Sequence, residues 1–416
     1  MGINKIIRRC HTVLWLTLIT ASLLSFLIIF LALPIEHVWA YSSDNVKTSQ
    51  LLEVVVGAER FDKYFPLLKG KRVALVVNQT SCIGPKSQHL LDVLLGKKIK
   101  IVKIFVPEHG FRGNMDANEE VPNCIDEKTG IHIVSLHGKK KCFKENALVD
   151  VDIVVFDIQD VGVRFYTYIS VLHLTMEACA SAKIPLIVFD RPNPNGSYID
   201  GPVLEMECSS YLGKHPIPLV YGLTIGELAM MINGEKWLKG GVECNLKVIK
   251  LKNYTHETKY KLPINPSPNL VNAKSIELYP TLGLFEATSI SVGRGTDFPL
   301  QVLGYPNNQC GDFTFTPKSM PGKASSPKYE NIICYGVDLR NVSSTNYVNL
   351  EYLIKFYKLL SGLGEKFFEA TFDIHAGNKL LRKQIESGLS EKEIRESWQD
   401  GIASYKLKRK KYLIYE

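Results

Sequence analysis

The sequence predicts an α/β fold: a doubly wound, mainly parallel sheet followed by a second, smaller α+β part. Two observations carry this. Short β-branched runs alternate with helical patterns through the first half of the chain, the signature of strands covered on both faces. Three of those runs also stop at loops that carry a carboxylate: Ile99 to Val106 at Pro107-Glu108-His109-Gly110, Asp152 to Phe156 at Asp157-Ile158-Gln159-Asp160, and Ile184 to Phe189 at Asp190-Arg191-Pro192-Asn193. In open α/β sheets ligands sit beyond the carboxyl ends of the strands, so acids placed there are placed for chemistry.

The elements follow in order. Arg72 to Val77 reads as the first strand, then the turn Asn78-Gln79-Thr80-Ser81 and a helix over Ser87 to Leu95. Further strands are expected at Ile99 to Val106, Ile131 to Leu136, Asp152 to Asp157 and Pro185 to Asp190. Between the last two, Ile169, Leu172, Met176 and Cys179 recur at helical spacing and make an amphipathic crossover. Thr224-Ile225-Gly226-Glu227 has capping-box spacing before another helix, which explains Glu227 without catalysis. Asn245 to Leu251 reads as a strand. Residues 260–325, rich in Pro, Gly and Asn, read as long specific loops. Helices return over Leu350 to Leu360 and after Ser390, where Ile394, Trp398, Ile402 and Tyr405 share a face, and Tyr412 to Tyr415 is strand-like. A boundary near 238 divides the chain into an α/β domain over 50–238 and an α+β domain over 239–416.

The first forty residues stand apart. Lys5, Arg8 and Arg9 precede the apolar stretch Val13 to Leu33, and Val38-Trp39-Ala40 offers a cleavage point. Residues 1–40 are therefore expected to be a signal peptide or, since the stretch is long enough to span a bilayer, a signal anchor. Either way the remainder is expected to be exported, periplasmic or extracellular. The net charge of +8 is concentrated partly in the tail, Lys406, Lys408, Arg409, Lys410 and Lys411. Without interleaved aromatics that run reads as a solvated helix face, and no nucleic-acid partner is expected. No C-x-x-C occurs among the nine cysteines, and Cys124 and Cys142 are near enough in sequence to pair or to remain thiols.

Absences narrow the chemistry. There is no G-x-G-x-x-G after the first strand, no G-x-x-x-x-G-K-[ST], no G-x-S-x-G and no H-E-x-x-H, so dinucleotide, nucleoside triphosphate, serine-hydrolase and zincin readings lose ground. Carboxylates remain. Pro107 holds Glu108 in extended chain while Gly110 and Gly113 permit a sharp turn, which projects Glu108 and His109 from the strand end; a turn cap or a pair with Arg112 is the structural alternative. Asp157 to Tyr168 packs Asp157, Gln159, Asp160, Arg164, Tyr166 and Tyr168 around Gly162, a mixture of acids, amide and aromatics that suits a sugar. Its alternative is an internal Asp160–Arg164 pair, as Asp190 and Arg191 could pair beside Asn193. Glu286 follows an apolar run that could raise its pKa, or it could pair with Arg294. Asn269 sits in a Pro-rich turn of the same polar cluster.

Taken in order, Gly70-Lys71-Arg72-Val73, Asn78-Gln79-Thr80, Val106 to Gly113, Phe156 to Tyr168, Asp190 to Gly196, Thr224 to Glu227, Pro266 to Asn269, Gly293 to Thr296 and Tyr412 to Tyr415 resemble the NamZ-type exo-β-N-acetylmuramidases. The resemblance covers nearly all of the chain after its first forty residues. It implies a Rossmann-like domain with a smaller C-terminal domain completing the cleft. It also implies release of N-acetylmuramic acid from the non-reducing ends of peptidoglycan fragments, with no cofactor and no metal. Two departures stand out: Tyr221 occupies the place of a family His, and Asn118 that of a Gly. Glycoside cleavage needs a proton donor and a group to stabilise or trap an oxocarbenium-like centre. Glu108 is expected as the acid, Asp157 or Asp160 as base or electrostatic partner, and Glu286 as a reserve. Arg164 or Arg294 is expected to take the sugar's lactyl carboxylate. Asn78, His109, Arg112, Gln159, Tyr166, Asp190, Arg191, Asn193 and Asn269 complete the expected substrate contacts. The expected partners are muropeptides or disaccharides, and a membrane only through the N-terminal stretch. Two rivals stay open: a metal-dependent hydrolase using His109, Asp157 and Asp190, and a non-catalytic wall-binding protein.

Overall fold

A computed structural model describes residues 53–415 apart from 109, 112–122, 137–142, 144–145 and 344. The expected signal or anchor, His109, Arg112 and Cys142 thus lie outside the described residues. Among the described residues no helix is long and apolar enough to cross a membrane, and Cys124 and the other six described cysteines are free thiols.

Twelve strands are present among the described residues: β1 (Arg72–Val77), β2 (Cys82–Ile83), β3 (Gln88–His89), β4 (Lys100–Val106), β5 (Cys124–Ile125), β6 (His132–Ser135), β7 (Ile153–Asp157), β8 (Leu186–Phe189), β9 (Leu246–Ile249), β10 (Val302–Tyr305), β11 (Phe313–Phe315) and β12 (Cys334–Asp338). Seven form the main sheet in the order β5-β6-β4-β1-β7-β8-β9. Every pairing in it is parallel except β5 with β6. The chain runs outward from β1 to β4 and β6, then restarts at β7 on the other side, so β1 and β7 flank the switch point of a doubly wound sheet. Their register sets Val77 beside Asp157 at that point.

Alternation along the strands builds two cores, because successive side chains face opposite sides of a strand. Val73, Leu75, Val77, Ile104, Val106, Val155 and Phe189 pack on one face with Tyr64, Leu68 and Leu90. Ala74, Val76, Phe105, Val154, Phe156 and Val188 pack on the other, and that core runs on without a break into Leu284, Phe285, Phe356 and Phe372 of the C-terminal half. The sheet takes in β9, beyond the expected boundary at 238.

Three expectations need correction. The 260–325 region is not all loop: a helix covers Ala273–Leu282, and β10 and β11 join β12 in a small antiparallel sheet. The helix predicted after Ser390 breaks at Ser397–Trp398 into Glu391–Glu396 and Gln399–Arg409, although Ile394, Trp398, Ile402 and Tyr405 are all buried as their spacing requires. The final segment forms no strand. Tyr415 instead donates its hydroxyl to Asp190 at 2.6 Å and accepts from the backbone of Leu251.

Candidate active site

A cavity of about 940 Å³ opens over the carboxyl edge of the sheet, within the size range of small-molecule sites. Glu108 reaches it from the end of β4, and Tyr166, Thr167 and Tyr168 from the loop and helix start after β7. The C-terminal half supplies Asn269, Tyr279, Glu286, Arg294 and the segment Lys323 to Lys328. Of the expected site residues, Glu108, Glu286, Tyr166, Asn269 and Arg294 are therefore brought together.

Glu108 is half-buried, with the Thr167 hydroxyl 3.5 Å from its Oε2. Its charge reaches Tyr168, Tyr211, Tyr279 and Arg294; burial is the chief cause that raises the pKa of the three phenols, and the Glu108 carboxylate adds to it, after Glu286 at Tyr279. Glu286 and Arg294 form an ion pair, Nε to Oε1 at 2.6 Å and Nη2 to the same oxygen at 2.5 Å. The pair settles the alternative left open by the sequence: Glu286 is a paired carboxylate inside the cavity. Tyr166 and Tyr168 both give their hydroxyls to the carbonyl of Pro266, at 2.8 and 3.2 Å, and their rings meet edge to face at 4.7 Å. With the hydroxyls spent, what remains for a ligand is a fixed aromatic wall. Tyr279, on a helix in the region read as loop, stands 6.0 Å from Tyr166 and extends that wall.

The other acids are elsewhere, for reasons the geometry makes plain. Asp157 does not line the cavity: it is fully buried and gripped by Arg191 in a two-pronged pair, Nε to Oδ1 at 2.6 Å and Nη2 to Oδ2 at 2.9 Å. The Asp190–Arg191 side-chain pair left open by the sequence does not form, since only the backbone N–H of Arg191 reaches Asp190. Asp190 accepts from the Thr224 hydroxyl, the Gly226 N–H and the Tyr415 hydroxyl, while burial pushes its pKa up to about 7. Asp160 is likewise no base in the cavity. It accepts from the Tyr221 hydroxyl and the Gly162 N–H, and burial raises its pKa to about 6. Tyr221, which stands where the resemblance expects His, is thus wholly buried behind the cavity and braces Asp160 instead of touching a ligand.

Arg164 is neither Asp160's partner nor a ligand for a carboxylate. Its guanidinium is buried and donates to the carbonyls of Pro202, Ile217 and Ala376 at 2.6, 2.9 and 2.5 Å, and burial without an anion depresses its pKa to about 9. Gly377 follows with φ of +83°, and a Cβ there would lie 2.2 Å from Nη2, so the clamp requires glycine. Asn78, Gln159 and Asn193 are also architectural. The Asn78 carboxamide oxygen accepts from Thr80, Gln159 donates to the carbonyls of Asp160 and Pro192, and Asn193 donates to that of Leu223. Asn269 lines the cavity but directs its amide to the Lys323 carbonyl at 2.7 Å, holding that segment in place.

Asp157 and Asp190 are absorbed in separate networks, and His109, the third residue of the rival metal reading, lies outside the described residues. No group of three His, Cys, Asp or Glu residues among the described residues is arranged to hold a metal ion. Tyr168, lying at the end of a quoted motif, was within reach of sequence reasoning. Tyr279 and Lys328 were not, since neither belongs to a recognisable pattern.

Comparison with known proteins agrees with this architecture. The model of the N-terminal region of the exo-β-N-acetylmuramidase NamZ matches residues 73–274, and that of its C-terminal region matches 277–415. The peptidoglycan β-N-acetylmuramidase NamZ of Bacillus subtilis is 38% identical over 372 residues, covering 85% of this chain and 89% of that protein. Two crystal structures of DUF1343 family proteins from Bacteroides fragilis superpose with TM-scores of 0.81 and 0.74, at 46% and 28% identity. They cover 88% and 87% of this chain and 99% of each of theirs. With both halves matched in order and the same fold in solved relatives, the chain belongs to the NamZ exo-β-N-acetylmuramidase family.

Proposed function

We propose that this protein is an exo-acting glycoside hydrolase releasing N-acetylmuramic acid from the non-reducing ends of peptidoglycan fragments, with Glu108 as proton donor. The observation that carries the assignment of Glu108 is its position: it is a half-buried carboxyl at a strand end, in a cavity walled by Tyr166, Tyr168 and Tyr279 and shared with the Glu286–Arg294 pair. Protonation of the departing glycosidic oxygen needs a carboxyl within hydrogen-bond reach of the bound substrate, and Glu108 lines the cavity. Glu286 is held by Arg294 and acts as a fixed negative charge, suited to stabilising the positive charge that develops at the anomeric carbon. Asp157 and Asp160, behind the wall, hold the loops that carry the tyrosines.

The protein's place of work follows from the same substrate. Residues 1–40 direct the remainder across the membrane, where peptidoglycan fragments arise during wall turnover. N-terminal sequencing of the protein recovered from soluble and membrane fractions distinguishes a cleaved signal from an anchor. The activity itself is tested by incubating residues 41–416 with a disaccharide that has N-acetylmuramic acid at its non-reducing end and weighing the products by mass spectrometry. Free N-acetylmuramic acid is the expected product. An intact disaccharide, bound or unbound, would leave only a wall-binding role.

A further inference from the structure

N-acetylmuramic acid differs from N-acetylglucosamine by a lactyl ether bearing a carboxylate, so a site selective for it needs a cation not already spent. Of the two arginines that sequence suggested, Arg164 donates to backbone carbonyls outside the cavity and the charge of Arg294 is paired with that of Glu286. Lys328 also lines the cavity. Its stem is exposed, but its ammonium turns inward to the carbonyls of Glu286, at 3.2 Å, and Thr288. Among the described residues it makes no ion pair. An ammonium has three N–H donors, and two carbonyls leave one over. Resting on the proposed muramidase reading, we infer that Lys328 is the group that recognises the carboxylate of the sugar and so sets selectivity for the acidic over the neutral amino sugar.

The fold is shaped to put it there. Gly295, in the turn after Arg294, has φ of +81°, and a Cβ at that position would stand 2.5 Å from the Lys318 carbonyl and 2.6 Å from Cγ of Pro327. Only glycine lets Pro327 seat against the turn, and Pro327 precedes Lys328. Lys318 N–H donates back to the Gly295 carbonyl at 2.8 Å, and Asn269 holds Lys323 from the opposite end of the segment. The Gly293-Arg294-Gly295-Thr296 turn therefore serves two cations, pairing one with Glu286 and seating the other beside it. Burial lowers the pKa of Lys328, and the carboxylates of Glu369 and Glu286 partly offset this.

The test compares a chromogenic β-glycoside of N-acetylmuramic acid with its lactyl methyl ester, which keeps the shape and removes the charge. The wild-type protein is expected to prefer the acid by about 10- to 100-fold in kcat/KM, mostly through KM, as for a charge-assisted hydrogen bond made equally in ground and transition states. Lys328→Gln is expected to close that gap, Lys328→Arg to keep most of it, and Gly295→Ala to narrow it by displacing Pro327. A Lys328→Gln protein that discriminates acid from ester as well as wild type overturns the inference, as does a wild-type protein indifferent to esterification. Turnover of neither compound by wild type would instead sink the muramidase reading on which it rests.

Discussion

Glu108, at the end of β4, and Asp157 and Asp190, at the ends of β7 and β8, occupy equivalent places on one sheet yet do different work. The difference lies in what the chain lays over each strand end. Over β4 it leaves a cavity, so Glu108 stays half-buried and within reach of a ligand. Over β7 it lays Arg191, and over β8 it gathers Thr224, Gly226 and Tyr415, so both aspartates become fully buried anchors. A strand-end acid is an invitation to chemistry that neighbouring donors can withdraw.

The comparison can be broken most sharply at Glu108. Glu108→Gln is expected to lower kcat/KM by about 100- to 10,000-fold, the usual worth of a general acid, while leaving the melting temperature unchanged. Turnover at the wild-type rate would remove Glu108 as proton donor. Asp157→Asn should do the reverse. It strands the buried Arg191 guanidinium and is expected to cost about 3–5 kcal/mol of stability in urea titrations, with turnover per folded molecule largely kept. Loss of turnover without loss of stability would move Asp157 back into the chemistry.

Further effects sharpen the contrast through pH. The pKa values of Asp160 and Asp190 are raised on folding, to about 6 and about 7. A raised carboxyl pKa stabilises the fold fully below the unfolded value of about 4, and the contribution is lost as pH rises through the folded value. Stability should therefore decline between about pH 4 and 7, by about 3 kcal/mol for Asp160 and about 4 kcal/mol for Asp190, and Asp160→Asn should flatten the part between about pH 4 and 6. Denaturant melts across that range decide it. The smallest effect is expected from Tyr221→Phe, which removes the hydroxyl from Asp160 and should cost about 1 kcal/mol while hardly changing KM. A large rise in KM would show that Tyr221 bears on the ligand after all.

Much of the first half was legible because its rules are local. Strand alternation, the Thr224–Glu227 capping box and the turn residues all depend on near neighbours, and the sheet follows from them. Glu108 was legible for the same reason, as a carboxyl framed by proline and glycine. The partners of the other acids were not, because they come from far along the chain. Arg191 is 34 residues from Asp157, Tyr221 is 61 from Asp160, and Tyr415 is 225 from Asp190. Adjacent charges in sequence, Asp190 with Arg191 or Asp160 with Arg164, suggested pairs that the backbone directs apart. Lys328 was hidden for a further reason: its position depends on Gly295 and Asn269, and neither marks it from a distance.

The core that covers one face of the sheet and continues into Phe285, Phe356 and Phe372 has a thermodynamic consequence. Two regions that share one apolar interior lack a separating layer of water along which either could melt alone. Heating should therefore give one calorimetric peak whose van't Hoff and measured enthalpies agree, although the sequence divides naturally in two. The walls of the cleft, drawn from both regions, would then be lost in a single step, and activity and fold should vanish at the same temperature.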